Sequence, residues 1–243
     1  MAYANTFMRR EVKYILSEKD YAAVRTAIAP YMTEDKYGKH AICNIYCDSV
    51  NSDLIRSSLD KPVYKEKLRL RSYGKAKDDS NAFLEIKKKY KGVVYKRRLQ
   101  MPYKELFDYV TYGIKPQKQS QVLEEIDYLI NRAQLMPKIV ICYDRLAMFG
   151  NEDNEFRLTF DGNIRSRTDN LDLRAGDYGT LLSGQPFRIM EIKVADSMPL
   201  WMTQILSELK IQTGSFSKYG SIYTQQIIKD MKDRSIDICS KVS

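Results

Sequence analysis

Charged or polar residues stand at every second position in four segments of the chain: Lys65-Lys67-Arg69-Arg71, Glu85-Lys87-Lys89, Arg157-Thr159-Asp161 and Glu191-Lys193. Strand side chains alternate between two faces, so each segment aims these groups at one side of a sheet. The positions between and beside them include Leu68, Leu70, Leu84, Ile86, Phe156, Leu158, Phe160, Ile192 and Val194, which suit a buried face. An ordinary half-buried strand also alternates, with water on its polar side. Here the polar side is mostly long cations with few carboxylates, which suggests an interior that holds a polyanion.

Composition narrows the partners without choosing among them. A chain of 243 residues with 44% hydrophobic and 29% charged residues can bury a proper core. Its net charge of +9 favours nucleic acid, a phosphate polymer or an acidic membrane surface. No apolar run reaches membrane-span length and the N-terminus lacks the apolar core of a signal peptide, so a soluble, cytoplasmic protein is expected. The only histidine is His40, which sets aside histidine triads and multi-histidine zinc sites and reads as a strand-edge residue. Cys43 and Cys47, four positions apart on one strand face, are too distant for a disulfide or a shared metal. With Cys142 and Cys239 they read as buried reduced thiols.

The elements that must position these residues follow from periodicity. Met8 to Leu16 reads as a strand with Glu11 and Lys13 on one face. Ser17, with Asp20 in the capping-box position, opens a helix to about Pro30. Strands are expected over 39–48, 65–73, 82–89, 93–101, 138–149, 155–164 and 187–195. Helices are expected over 103–135, broken near Pro116, over 199–209, and from about Ile222, with 171–185 as loop. No repeat, linker or composition shift appears, so residues 1–243 read as one domain. The pattern gives an α+β protein on an antiparallel sheet or barrel. A closed barrel of about eight strands would enclose the charged faces around a ligand. An open sheet with a wet basic face satisfies the same pattern and keeps nucleic-acid binding in play.

Several ordered motifs carry a resemblance. They are Arg-Arg-Glu-Val-Lys-Tyr, Ile-Tyr-Cys-Asp-Ser, Lys-Leu-Arg-Leu-Arg-Ser-Tyr-Gly, Phe-Leu-Glu-Ile-Lys-Lys-Lys and Val-Tyr-Lys-Arg-Arg. Cys-Tyr-Asp-Arg-Leu-Ala, Arg-Leu-Thr-Phe-Asp, Met-Glu-Ile-Lys-Val and Phe-Ser-Lys-Tyr-Gly follow. In this order, from about Arg9 to Tyr223, the chain resembles the catalytic domain of the vacuolar transporter chaperone (VTC) type, a CYTH-like triphosphate tunnel metalloenzyme, in its stand-alone bacterial form. The resemblance implies an α+β fold: a closed eight-stranded antiparallel β-barrel forming a triphosphate tunnel, with flanking helices and a C-terminal helix. It also implies transfer of the ATP γ-phosphoryl group to growing inorganic polyphosphate with a divalent ion, manganese favoured and magnesium the alternative.

By motif, the phosphate-binding cations implied are Lys13, Arg69, Arg71, Lys87, Lys96, Arg145, Arg157 and Lys218. Tyr143 and Ser217 match polar positions near the phosphates, and Lys193 shares a strand face with Glu191. Glu191 takes the place of the metal-binding glutamate, while Glu11 and Glu85 are either metal-related or structural partners of arginines. Phosphoryl transfer asks the protein for positioned cations and a metal more than for covalent chemistry. Hydrolytic relatives carry Glu-x-Glu-x-Lys near the N-terminus, whereas this chain has Arg9-Arg10-Glu11-Val12-Lys13. Losing the first carboxylate tilts the reading from hydrolase toward polymerase. Lys75, Lys77, Lys88, Lys89 and Lys91 are read as solvated surface charges, and Asp48 and Asp161 as turn or pairing residues. The remaining alternatives are a non-catalytic polyphosphate-binding module and a tunnel triphosphatase or nucleotidyl cyclase. The expected partners are ATP and polyphosphate rather than nucleic acid, and translocation would need a separate membrane partner.

Overall fold

The structure is a computed structural model that describes residues 10–91, 93–194 and 197–241, without the side chains of Arg10 and of residues 232–241. The elements in chain order are β1 (Arg10–Leu16), α1 (Glu18–Ile28), β2 (Met32–Asp48), α2 (Asp53–Leu59), β3 (Tyr64–Tyr73), β4 (Asn81–Tyr90) and β5 (Val93–Pro102). Helices α3 (Tyr103–Tyr112) and α4 (Gln121–Ala133) precede β6 (Met136–Gly150), β7 (Arg157–Arg167), β8 (Thr180–Leu181) and β9 (Arg188–Val194). Helices α5 (Leu200–Glu208) and α6 (Lys218–Lys241) complete the chain. Arg9 and the side chain of Cys239 lie outside the described residues.

All strands pair antiparallel in one sheet of order β1-β9-β7-β6-β2-β3-β4-β5, with β8 added to β7. The expected barrel is therefore not closed by hydrogen bonds: β1 and β5 are its edges, and they exchange no ladder. A charged contact crosses the seam instead, Lys87 Nζ of β4 reaching Glu11 Oε2 of β1 at 3.1 Å. Strand β5 carries Lys96, Arg97 and Arg98 in a row, and charged side chains on an edge strand oppose addition of another strand.

Local chemistry sets the element ends. Ser17 and Asp20 form the capping box that starts α1. Gly113, at φ 73°, closes α3, and Pro116 lies between α3 and α4. Helix α6 begins at Lys218, four residues before the sequence expectation, because Ser217 Oγ accepts from Gly220 N at 3.2 Å and offsets the helix-weakening glycine. The expected loop over 171–185 holds β8 and a 3-10 turn at Leu173–Ala175, and Arg167 pins the region by donating to the carbonyls of Asn170, Asp172 and Tyr178.

Three apolar clusters cover the two faces of the sheet. On the outer face, Ile45, Leu68, Leu70, Leu84 and Ile86 pack against Tyr103, Leu106, Leu123 and Ile126 of α3 and α4. Leu158, Phe160 and Ile192 pack against Val24 and Ile28 of α1 and Met202 of α5. The third cluster lies on the charged face: Ile42 and Tyr46 of β2 and Ile139, Ile141 and Tyr143 of β6 sit beneath Tyr219 and Ile222 of α6. Cys43, Cys47 and Cys142 are buried free thiols, and Cys43 stands directly opposite Cys142 in the β2–β6 register. His40 is partly buried, its Nδ1 3.0 Å from the Gly38 carbonyl.

Asp48, fully buried at the end of β2, ties the clusters to α6. Its carboxylate accepts from the backbone of Ser49, Leu54 and Ile55 and from the Tyr219 hydroxyl, at 2.9, 2.9, 3.1 and 3.0 Å. Replacing it with alanine leaves the start of α2 and a buried phenol without an acceptor. Asp48→Ala is expected to lower unfolding free energy by about 3 kcal/mol in urea titrations. Asp48→Asn, which keeps one acceptor, should lose less.

Candidate functional site

Register brings the charged positions of six strands onto one concave face. Lys65 lies opposite Lys89, Lys67 opposite Lys87, and Arg69 opposite Glu85 across β3 and β4. Lys13 faces Glu191 and Glu11 faces Lys193 across β1 and β9, while Arg145 faces Asp161 across β6 and β7. Together with Lys96 of β5 and the segment 214–218, all of these but the fully buried Asp161 line a cavity of about 1150 Å³.

Carboxylates divide the cations into groups. Glu85 receives Lys96 at 2.5 Å, Arg69 Nε at 2.7 Å and Arg71 Nη1 at 3.9 Å. Arg71 also donates to Asn44 Oδ1 at 2.9 Å and to the Tyr143 hydroxyl at 3.1 Å, and Arg69 donates to the Tyr46 hydroxyl at 3.3 Å. Asp161 takes a two-pronged fork from Arg145, both prongs at 2.7 Å, and Lys218 at 2.6 Å. Both cations lie against the Tyr143 ring. Glu191 meets Lys193 at 2.9 Å and Lys13 at 3.8 Å.

Lys65, Lys67 and Lys89 have no carboxylate partner among the described residues. Lys67 donates to Ser217 Oγ at 3.1 Å and Lys65 to the Ser58 carbonyl at 3.4 Å. Burial, reinforced by Lys65, Lys13 and Lys87, brings the Lys67 ammonium down to about 8. Burial and Arg69 bring Lys96 to about 8, against the pull of Glu85. Burial raises the Glu191 carboxyl, but Lys193, Lys13 and Arg145 outweigh it and hold the group well below the usual carboxylate range. Glu85, under Arg69, Arg71 and Lys96, and Asp161, under Arg145 and Lys218, are held low in the same way.

Of the residues singled out in the sequence, Lys13, Arg69, Arg71, Lys87, Lys96, Arg145, Lys218, Tyr143, Ser217, Lys193, Glu191, Glu11 and Glu85 all line this cavity. Arg157 does not join them: it begins β7 opposite Lys193 and is exposed to solvent. Lys89 is exposed, as its lysine cluster was read, yet also lines the cavity; Lys88, one residue away, points outward to Glu125. Lys65 and Lys67 were visible in the alternation, and Lys67 and Tyr46 stand within quoted motifs, but none of the three was given a site role, and Tyr46 carried no charge signal at all. Its place opposite Arg69 emerges only from the strand register.

The carboxylates differ in what they leave for a divalent ion. Glu85 and Asp161 are saturated by arginine and lysine. Glu191 and Glu11 are neighbours, the charge of Glu191 working to raise the Glu11 carboxyl. Thr159, directly across from Glu191, has a buried hydroxyl with no hydrogen-bond partner among the described residues. No group of three acidic, histidine or cysteine side chains exists among the described residues to cage a metal by itself. The donor set fits a hard ion that takes one or two carboxylates and completes its shell with phosphate oxygens.

An incoming phosphate favours charged lysine, so binding near pH 8 must draw protons onto Lys67 and Lys96. Calorimetry of tripolyphosphate binding in buffers of different ionisation heat should show net proton uptake at pH 8 and much less at pH 6. Affinity should fall as pH rises past 8. Equal, negligible uptake at both pH values would contradict these lysine environments.

Comparison with known proteins agrees with this geometry. A candidate adenylate cyclase from Bacillus halodurans superposes with TM-score 0.55 at 13% identity, over 87% of this chain and 94% of that one. A candidate adenylyl cyclase from Hippeastrum, described as having a dominant triphosphatase activity, superposes with TM-score 0.54 at 15% identity, over 90% and 96% of the two chains. At these identities the likeness concerns the fold. No curated protein matches the sequence. Residues 8–226 match the VTC domain, and the chain belongs to that family.

Proposed function

We propose that the protein is an ATP-dependent polyphosphate polymerase, moving the γ-phosphoryl group of ATP onto a growing inorganic polyphosphate chain. The observation that carries this reading is the cation row of β3. Arg71 to Lys65 spans about 20 Å at the usual strand rise, longer than a triphosphate. The row also changes character along its length, from carboxylate-paired arginines to Lys65 and Lys67, which with Lys89 lack such a partner. Holding a nucleotide triphosphate for hydrolysis or cyclisation gives no use for that extension; holding a polymer does.

In this reading Arg69, Arg71, Arg145 and Lys218 hold the transferred phosphoryl group and its neighbours, their forks fixing oxygens while the paired carboxylates fix the forks. The terminal oxygen of the acceptor chain is already ionised and attacks the γ-phosphorus. A new P–O bond forms, the bond to the β,γ-bridging oxygen breaks, and ADP leaves. No general base is required. A divalent ion, manganese or magnesium, held by Glu191 with phosphate oxygens would offset charge on the triphosphate. Lys65, Lys67 and Lys89 would bind the chain beyond the reacting phosphates.

Purified protein incubated with ATP and manganese is expected to yield long polyphosphate on a gel, in excess over free phosphate and cyclic nucleotide. Free phosphate alone would replace the proposal with a triphosphatase, and no product together with tight polyphosphate binding would make it a binding module. Glu191→Gln should cut synthesis by more than the roughly hundredfold that loss of an outer-shell metal partner costs. Circular dichroism of that variant should remain unchanged. Undiminished synthesis would refute the metal role of Glu191.

A further inference from the structure

We infer that Tyr46, which stands in the Ile-Tyr-Cys-Asp-Ser motif but has no role assigned by the resemblance, donates its phenolic hydrogen bond to phosphate bound in the cavity. The inference rests on the reading that the cavity takes phosphate, and not on turnover. Tyr46 is 7% exposed, lines the cavity, and has its ring 5.2 Å from that of Tyr219. Its hydroxyl oxygen already accepts from Arg69 Nη1 at 3.3 Å, which leaves the hydroxyl proton to be placed. Three other buried tyrosines spend that proton on carboxylates: Tyr103 donates to Asp172, Tyr109 to Asp127 and Tyr219 to Asp48. Tyr46 has no such acceptor among the described residues. Its pairing with Arg69 repeats that of Tyr143 with Arg71, so each of the two central arginines carries a tyrosine hydroxyl at the cavity wall.

The surroundings of Tyr46 link this donor to pH. Lys67, Arg69 and Arg71 act on it from β3, and Tyr143 of β6 and Tyr219 of α6 pack in its cluster, while Glu85 of β4 shares Arg69 with it. The charges acting directly on it are cations, and the one carboxylate, Glu85, reaches it only through Arg69. Burial pushes the phenol up, but Arg69, Lys67 and Arg71 outweigh it and bring it down to about 8. Above that pH the phenol becomes an anion paired with Arg69. It then has no proton to donate, and its charge opposes the incoming phosphate. A bound phosphate has the opposite effect and holds the proton on the oxygen.

The test is a tyrosinate absorbance titration of wild type and Tyr46→Phe, with and without saturating tripolyphosphate, alongside calorimetric affinities at pH 7. Wild type should show one early-ionising tyrosine near pH 8, and ligand should move that step up by about one unit or more. Tyr46→Phe keeps the ring against Tyr219, should lack the early step, and should bind tripolyphosphate about tenfold more weakly. An early step that survives in Tyr46→Phe, or that ligand leaves in place, overturns the inference. Unchanged affinity in the variant overturns it as well. The wild-type titration decides the matter even if the variant folds poorly. Failure to make polyphosphate while these outcomes hold would remove the polymerase reading and leave Tyr46 as a phosphate donor.

Discussion

Eleven lysine and arginine side chains line the cavity against the carboxylates of Glu11, Glu85 and Glu191, with Asp161 buried beside it, and repulsion among those cations is the constraint that the rest of the structure answers. Two like charges about 4 Å apart cost about 4 kcal/mol even at an effective dielectric of about 20. The fold meets that cost by inserting Glu85, Asp161 and Glu191 where cations converge, each carboxylate serving two or three of them. These carboxylates do more than neutralise. They fix guanidinium planes before any ligand arrives, which is what electrostatic preorganisation requires. The lysines left without a carboxylate are those whose balance an anionic ligand would supply.

The supporting elements are arranged around this charged face. Helices α3 and α4 cover the outer surface of one half of the sheet, and α1 and α5 that of the other, so the alternation of every strand is read on both sides. Helix α6 approaches the charged face itself, anchored by Tyr219 on Asp48, and its first residue is Lys218. Ser217 joins the two roles, capping α6 and accepting from Lys67. The seam between β1 and β5 is crossed by Glu11 and Lys87, so side-chain charge completes what hydrogen bonding does not.

Much of this arrangement was legible in the residue pattern, for a physical reason. Leu68, Leu70, Ile86, Leu158 and Ile192 alternate with charges because β3, β4, β7 and β9 each separate a dry outer face from the charged face, and period-two alternation is the direct signature of that separation. Ser17 and Asp20 announced α1 because capping is local chemistry. What depended on partners distant in sequence was not legible. The open seam is a property of two edges 80 residues apart. Tyr46 acquires its role only from standing opposite Arg69, and Lys89, solvent-exposed as expected, borders the cavity only because β3 places Lys65 across from it. Arg157 shows the converse: its alternation matched, but at the open end of β7 it reaches water rather than the cavity.

The account stands on phosphate occupying the concave face, between the arginines of β3 and the Arg145–Lys218 pair. A crystal structure of the protein with tripolyphosphate tests this most directly. Phosphate density within hydrogen-bond distance of Arg69, Arg71, Arg145 and Lys218 is the predicted result. Density confined to outward-facing lysines, with the cavity cations still bound only to their carboxylates, would contradict it.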